Sequence, residues 1–158
     1  FIEQLQSEVS DKQFYWATMM NVISAVFDFA KSESLSSLIS MTEIIPLVLN
    51  KLPVLDDLEE ADFIYSSLIE YFSANENEIQ QNLMELFRVM IQTLATKSTS
   101  FDDFNLQEGT FNGIVTLTKA ILESSPQLVE QIPNVLDSDE VKINRFNIRI
   151  GNSQETEE

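Results

Sequence analysis

Residues 52–61, which read Leu-Pro-Val-Leu-Asp-Asp-Leu-Glu-Glu-Ala, join two stretches of helical apolar periodicity. Pro53 has no backbone N–H and disfavours helical geometry in the residue before it, so the first helix should end at Leu52. Asp56 and Asp57 can accept hydrogen bonds from the unpaired N–H groups of the next helix, and acids favour the positive end of its dipole. The stretch therefore predicts the turn of a helical hairpin.

A similar turn is expected at residues 132–140, which read Ile-Pro-Asn-Val-Leu-Asp-Ser-Asp-Glu. Pro53 and Pro133 lie 80 residues apart, which equals two periods of about 40 residues. Repeats of the HEAT and armadillo types have periods of about 40–47 residues and bury their apolar faces only by stacking on neighbours. The spacing favours a solenoid of stacked helical hairpins.

Apolar residues recur at steps of three and four along most of the chain, which indicates helices with broad buried faces. The expected helices cover residues 12–31, 42–52, 57–73, 79–95, 105–123, 126–136 and 139–148, with Pro46 tolerated in the first turn of the second helix. We find no convincing strand. The predicted fold class is all-α, a HEAT-repeat α-solenoid of about seven helices in antiparallel hairpins. Residues 1–150 should form repeats from a larger solenoid, followed by a flexible acidic tail at 151–158.

The residue types that are missing exclude several kinds of chemistry. The chain has no cysteine and no histidine, so it lacks a thiolate nucleophile, a zinc–thiolate site and a Ser-His-Asp triad. Its three glycines match no phosphate-binding loop. Paired carboxylates could still act as an acid and a base, but the acids here lie at helix starts beside water. We therefore expect neither an enzyme nor a bound cofactor or metal.

The charge is strongly negative and unevenly distributed. The chain has nine basic and 26 acidic residues, which gives a net charge of −17. Residues 42–85 alone carry ten acids and one base, a net charge of −9. Such a field repels nucleic acid and anionic membranes and attracts basic partners. No apolar run approaches the ~18 residues of a membrane span, so we expect direct binding to neither nucleic acid nor membrane.

Residues 20–72 resemble the carboxy-terminal HEAT repeats of the importin-β (karyopherin-β) nuclear transport receptors, most closely the branch that imports ribosomal proteins and histones. Three elements carry the resemblance: Asn21-Val22-Ile23-Ser24-Ala25, then Leu52-Pro53, then Asp57-Leu58-Glu59-Glu60-Ala61. The resemblance covers about a third of the chain.

The resemblance implies a function in nuclear import. Receptors of this family bind basic cargo signals on their inner helices, contact Phe-Gly nucleoporins, and release cargo when the Ran GTPase binds in its GTP form. On this alignment the inner helices are residues 12–31, 57–73, 105–123 and 139–149, and the expected location is the nucleus, cytoplasm and nuclear pore. The candidate cargo-binding residues lie at the start of the second inner helix: Asp56, Asp57, Glu59, Glu60 and Asp62.

A second interpretation remains open at this stage. The chain could belong to a HEAT-repeat scaffold subunit of a larger assembly, with no Ran-regulated transport of cargo. Helical periodicity cannot separate the two, because both would stack hairpins in the same way. A receptor should bind basic peptides with strong salt dependence, whereas a scaffold should ignore them.

Overall fold

The computed structural model describes residues 12–32, 38–53, 58–96 and 106–151, and the side chains of residues 12–17, 58 and 59 are also outside the description. In these ranges the chain is all-α, as the sequence predicts, and contains no strand. The α-helices are α1 (Lys12–Lys31), α2 (Met41–Lys51), α3 (Leu58–Ala74), α4 (Glu76–Gln81), α5 (Leu83–Leu94), α6 (Glu108–Ser124), α7 (Ile132–Val135) and α8 (Glu140–Arg149), with a 3₁₀ helix at Pro126–Gln131.

Most helix bounds fall within a few residues of those that the periodicity predicts. The start of α8 shows the expected capping, because one carboxylate oxygen of Asp139 accepts hydrogen bonds from the backbone N–H groups of Val141 and Lys142, at 2.9 and 3.1 Å. Capping of this kind satisfies donors that have no partner within the helix.

The prediction of one helix over residues 79–95 is wrong in one respect, because the structure has two helices there. Helix α4 begins at Glu76 and α5 follows after a break at Asn82. Both the backbone N–H and the side-chain amide of Asn82 donate to the carbonyl oxygen of Glu78, at 3.1 and 3.0 Å. Asparagine competes with helical hydrogen bonding in this way, and its backbone here has φ −113° and ψ 15°.

The single helix expected over residues 126–136 is also wrong. The structure has the 3₁₀ helix followed by the four-residue α7. Pro133 has no N–H for the carbonyl of Val129, which instead accepts from the N–H of Ile132. The tighter 3₁₀ hydrogen bonding is used in short pieces of this kind.

The two prolines that suggested a repeat period therefore occupy different positions. Pro53 follows the end of α2, whereas Pro133 lies in the first turn of α7. The chain turns towards α8 at Asp137 and Ser138, which both have positive φ, at 56° and 55°. Pro46 also differs from expectation, because α2 begins at Met41 and the proline lies inside the helix.

Helix α3 lies at the centre of the packing. It contacts α1 on one side and α6 on the other, while α2 packs against α5, and α5 also contacts α6, α7 and α8. The buried residues of α3 include Ala61, Ile64, Tyr65, Leu68 and Phe72. Burial of each large apolar side chain contributes about 1.5–3 kcal/mol, so this helix is a major part of the core.

A buried hydroxyl pair joins α3 to α5. The hydroxyl oxygens of Tyr65 and Thr93 lie 2.8 Å apart, and the Thr93 hydroxyl also contacts the Val89 carbonyl oxygen as a donor at 2.7 Å. Burial raises the pKa of Tyr65 far above its ordinary value, so the phenol stays protonated. Buried hydroxyl groups need such partners, because an unsatisfied one is costly.

Two arginines hold the carboxyl ends of helices. Arg88 on α5 donates from Nη1 to the carbonyl of Leu52 at 2.8 Å and from Nη2 to that of Leu49 at 2.7 Å. Arg149 on α8 donates from Nη1 to the carbonyl of Leu94 at 2.7 Å. The last carbonyls of a helix lack partners within it and carry the negative end of its dipole. Each arginine therefore fixes one helix onto the end of another.

Gly113 permits a close approach of α3 and α6. A Cβ atom at this position would lie 2.8 Å from Cδ1 and 3.3 Å from Cγ2 of Ile69. Gly109, one turn earlier on the same helix, has no atom within 4 Å of the corresponding position. The two glycines therefore form a matched pair in which only one is constrained by packing.

Replacing these glycines tests the packing of α3 on α6. Gly109→Ala should raise the free energy of unfolding by up to about 1 kcal/mol, the gain in helix propensity. Gly113→Ala should lower it by about 1 kcal/mol, because overpacking costs about 1–3 kcal/mol. Urea unfolding of both variants measures the difference. Equal stabilisation by both would contradict the close approach.

Replacing Arg88 tests how much its hydrogen bonds to the carbonyls at the end of α2 stabilise the fold. Arg88→Leu should lower the free energy of unfolding by about 2–3 kcal/mol, because charge-assisted hydrogen bonds to two carbonyls are lost. Arg145→Leu removes the same charge from a side chain with no hydrogen bond or ion pair among the described residues, and should change stability by less than about 0.5 kcal/mol. Comparable losses in the two variants would show that charge alone, not the carbonyl contacts, is responsible.

Candidate partner-binding surface

The five acids predicted to bind a basic partner fall only partly within the described structure. Asp56 and Asp57 lie outside the described residues. Glu59 is in the first turn of α3, but its side chain also lies outside the description. Glu60 and Asp62 are described in full, and both are half-buried.

Glu60 faces α1. Its Oε2 atom accepts a hydrogen bond from the hydroxyl of Ser24, a buried residue of α1. The bond ties the start of α3 to the middle of α1. Ser24 belongs to residues 21–25 and Glu60 to residues 57–61, so these two segments of the sequence are in direct contact.

Asp62 makes its contact with a different neighbour. Its Oδ1 atom accepts from the backbone N–H of Gln107 at 2.7 Å. Gln107 is the residue that precedes α6, and its own side chain makes no capping hydrogen bond. Asp62 therefore fixes the position at which α6 begins, and it does so from a helix 45 residues earlier in the chain.

The two described carboxylates diverge. Successive residues of an α-helix are rotated by about 100°, so positions 60 and 62 lie on nearly opposite sides of α3. Among the described residues, Oε1 of Glu60 and Oδ2 of Asp62 make no hydrogen bond. Each side chain is therefore held through one oxygen, and its second oxygen can accept a hydrogen bond from a partner. The sequence places these acids together along the chain, but the structure directs them to two different flanks of the helix.

A mixed-charge contact lies further along α3. Lys31 at the end of α1 pairs with Glu70 at 2.8 Å between Nζ and Oε2, with the two side chains 43% and 68% exposed. The same Nζ lies 5.2 Å from the ring centroid of Phe63. Exposed ion pairs contribute about 0–1 kcal/mol, so this contact neutralises charge more than it stabilises the fold.

A polar cluster that sequence reasoning missed joins α2, α3 and α4. The hydroxyl of Thr42 donates to Oε1 of Glu78 at 3.0 Å. Oε2 of Glu78 is buried and has no hydrogen-bond partner among the described residues. Burial and then the negative charge of Glu78 raise the pKa of Tyr71, which a hydrogen bond with Thr42 partly opposes. Only the negative charge of this segment could have indicated the cluster.

Few basic side chains neutralise the acids. In the described ranges the ion pairs are Lys31–Glu70, Arg88–Glu85 and Lys142–Asp137. Arg88 also donates to the backbone carbonyls of Leu52 and Leu49, and Arg149 donates to the carbonyl of Leu94. Most of the described carboxylates therefore have no ion pair with another described residue, which favours association with cationic partners.

The described residues contain no group of three or more acidic, histidine or cysteine side chains that could hold a metal ion. Of the helices in the same ranges, none combines the length and apolar content that crossing a bilayer requires. Comparison with protein-family models, curated proteins and solved structures finds no match to this chain.

Replacing Asp62 tests its role at the start of α6. Asp62→Ala should lower the free energy of unfolding by about 1 kcal/mol, the usual cost of losing an acceptor at a helix start. Glu70→Ala removes an equal charge from the same helix but only an exposed ion pair, and should cost less than about 0.5 kcal/mol. Urea unfolding at neutral pH measures both. If the two losses are equal, Asp62 does not position α6.

Proposed function

We propose that this chain is part of a HEAT-type helical array that binds basic segments of partner proteins, as an importin-β-like nuclear import receptor does. In that function the acids at the start of α3 contact Lys and Arg of the cargo. Ran GTPase and Phe-Gly nucleoporins would act through the full-length receptor. The observation that carries the proposal is the pair of acids on α3 that the fold holds in place, each with one oxygen that makes no hydrogen bond to the described residues.

The order of helix contacts supports an array. Helices α1, α3 and α6 lie side by side in that order, and α2 packs against α5. In stacked helical hairpins each hairpin covers the apolar face of its neighbours, so alternate helices form two rows. The short α4 is an addition to this pattern, inserted where Asn82 breaks the helix.

The acids on α3 are suited to a cationic partner because they are already ordered. Glu60 and Asp62 lose part of their side-chain freedom on folding, through Ser24 and the Gln107 N–H, so less is lost again on binding. Asp56, Asp57 and Glu59 are adjacent in sequence and add to the local negative field. A lysine or arginine of a partner can therefore approach Glu60 on one flank of a fixed helix end or Asp62 on the other.

Charge reversal tests the proposal. Binding of a fluorescein-labelled Lys/Arg-rich localisation peptide is measured by anisotropy over a salt series. The affinity should fall as salt rises, and Asp57→Lys with Glu60→Lys should weaken it by about tenfold or more at moderate salt, about 1.4 kcal/mol or more. A matched control, Glu130→Lys with Glu140→Lys, makes the same change in net charge at two exposed positions far along the chain.

The outcomes separate the interpretations. Equal weakening by both double variants would show that only net charge matters and would contradict the site. Failure of the peptide to bind at low salt would favour the scaffold interpretation, in which the array holds an assembly together without basic cargo. Unfolding curves of the variants control for the loss of the Ser24 contact.

A further inference from the structure

An open groove lies between α4 and α6, beyond the carboxyl end of α3. Its volume is about 410 Å³, within the range of about 300–1,000 Å³ that is typical of ligand sites. Its apolar surface is formed by Ile79 of α4 together with Leu117, Ala120 and Ile121 of α6. Ile79 and Leu117 are only half-buried and Ala120 is exposed, so the fold leaves apolar surface uncovered here.

Polar groups without partners line the rim of the groove. Glu76, Asn77 and Gln80 all come from α4. Within the described part of the chain, the side chains of these three residues make no hydrogen bond or ion pair, and Glu76 is the one acidic residue in the lining. The groove therefore combines an apolar floor with an unpaired carboxylate and two free amides.

The charge of the groove selects the kind of occupant. No lysine or arginine belongs to the lining, and the groove adjoins the stretch of residues 42–85 with its net charge of −9. An acidic peptide would meet repulsion, and a purely apolar one would offer no cation to Glu76 at the rim. A basic segment with an aliphatic side chain next to a lysine or arginine suits the groove. The aliphatic side chain covers the apolar floor, and the cation pairs with Glu76 at the rim.

We propose that this groove binds an aliphatic side chain of the same basic partner segment that contacts the start of α3, with an adjacent Lys or Arg paired to Glu76. The inference rests on the proposed function. Helix α3 spans 17 residues, so about 25 Å separates its two ends at 1.5 Å per residue. An extended peptide covers that distance with about eight residues at 3.3 Å each.

Two labelled peptides test the groove. Both have a lysine-rich end and a Gly-Ser spacer of about eight residues, and they differ in carrying either Leu-Arg or Gly-Arg at the other end. Ala120→Trp fills the groove from an exposed position, and Asn112→Trp is its control at an exposed position of α6 outside the lining. The leucine peptide should bind the unmodified chain about tenfold more tightly than the glycine peptide.

Ala120→Trp should abolish this difference, and Asn112→Trp should keep it. Glu76→Lys provides a second variant at an exposed residue and should weaken the leucine peptide without altering the fold, as followed by circular dichroism. Equal binding of the two peptides to the unmodified chain contradicts the groove as a binding site, but it does not affect the proposal that the acids of α3 bind basic segments. A difference that persists in Ala120→Trp overturns the location. Failure of both peptides to bind at low salt overturns the proposed function and this inference together.

Discussion

Helix α3 has to bury apolar side chains on two flanks at once, because α1 lies against one side and α6 against the other. Tyr65 and Phe72 are almost completely inaccessible in consequence. The approach on the α6 side is close, since a Cβ atom on Gly113 would meet Ile69 and that side chain would have to move. Close packing of this kind tolerates little change in volume. The different directions of Glu60 and Asp62 follow from how this one helix is enclosed.

The scarcity of basic residues connects stability with the proposed function. Arg88 and Arg149 direct N–H groups to the carbonyls that end α2 and α5, where a cation also meets the negative end of a helix dipole. Those contacts join α5 to α2 and α8 to α5, and nine basic residues are too few to pair with 26 acidic ones. The few basic residues therefore help to fix the helices but leave an anionic surface. A protein of this charge associates most readily with cationic partners.

Local patterns in the sequence predict much of the fold, and contacts between distant residues escape them. Apolar periodicity places the long helices, and Asp139 caps α8 as its residue type predicts. The break at Asn82 depends on a side chain competing for a backbone carbonyl, and the 3₁₀ segment on the missing N–H of Pro133, so periodicity alone misses both. Glu60 and Asp62 accept hydrogen bonds from residues that lie 36 and 45 positions away in the sequence. No periodicity in the sequence indicates that these two acids diverge.

The most direct test of the account uses the amide of Gln107, whose N–H donates to Asp62. A cation that contacts Asp62 changes the electric field at this hydrogen bond, so the Gln107 resonance reports on Asp62 from outside α3. The measurement is a ¹H–¹⁵N correlation titration with a Lys/Arg-rich peptide. We predict saturable shifts at Gln107 and at the amides of residues 58–62 that fit one dissociation constant. Shifts spread evenly over all acidic segments, or absent from these amides, would contradict a defined site at the start of α3.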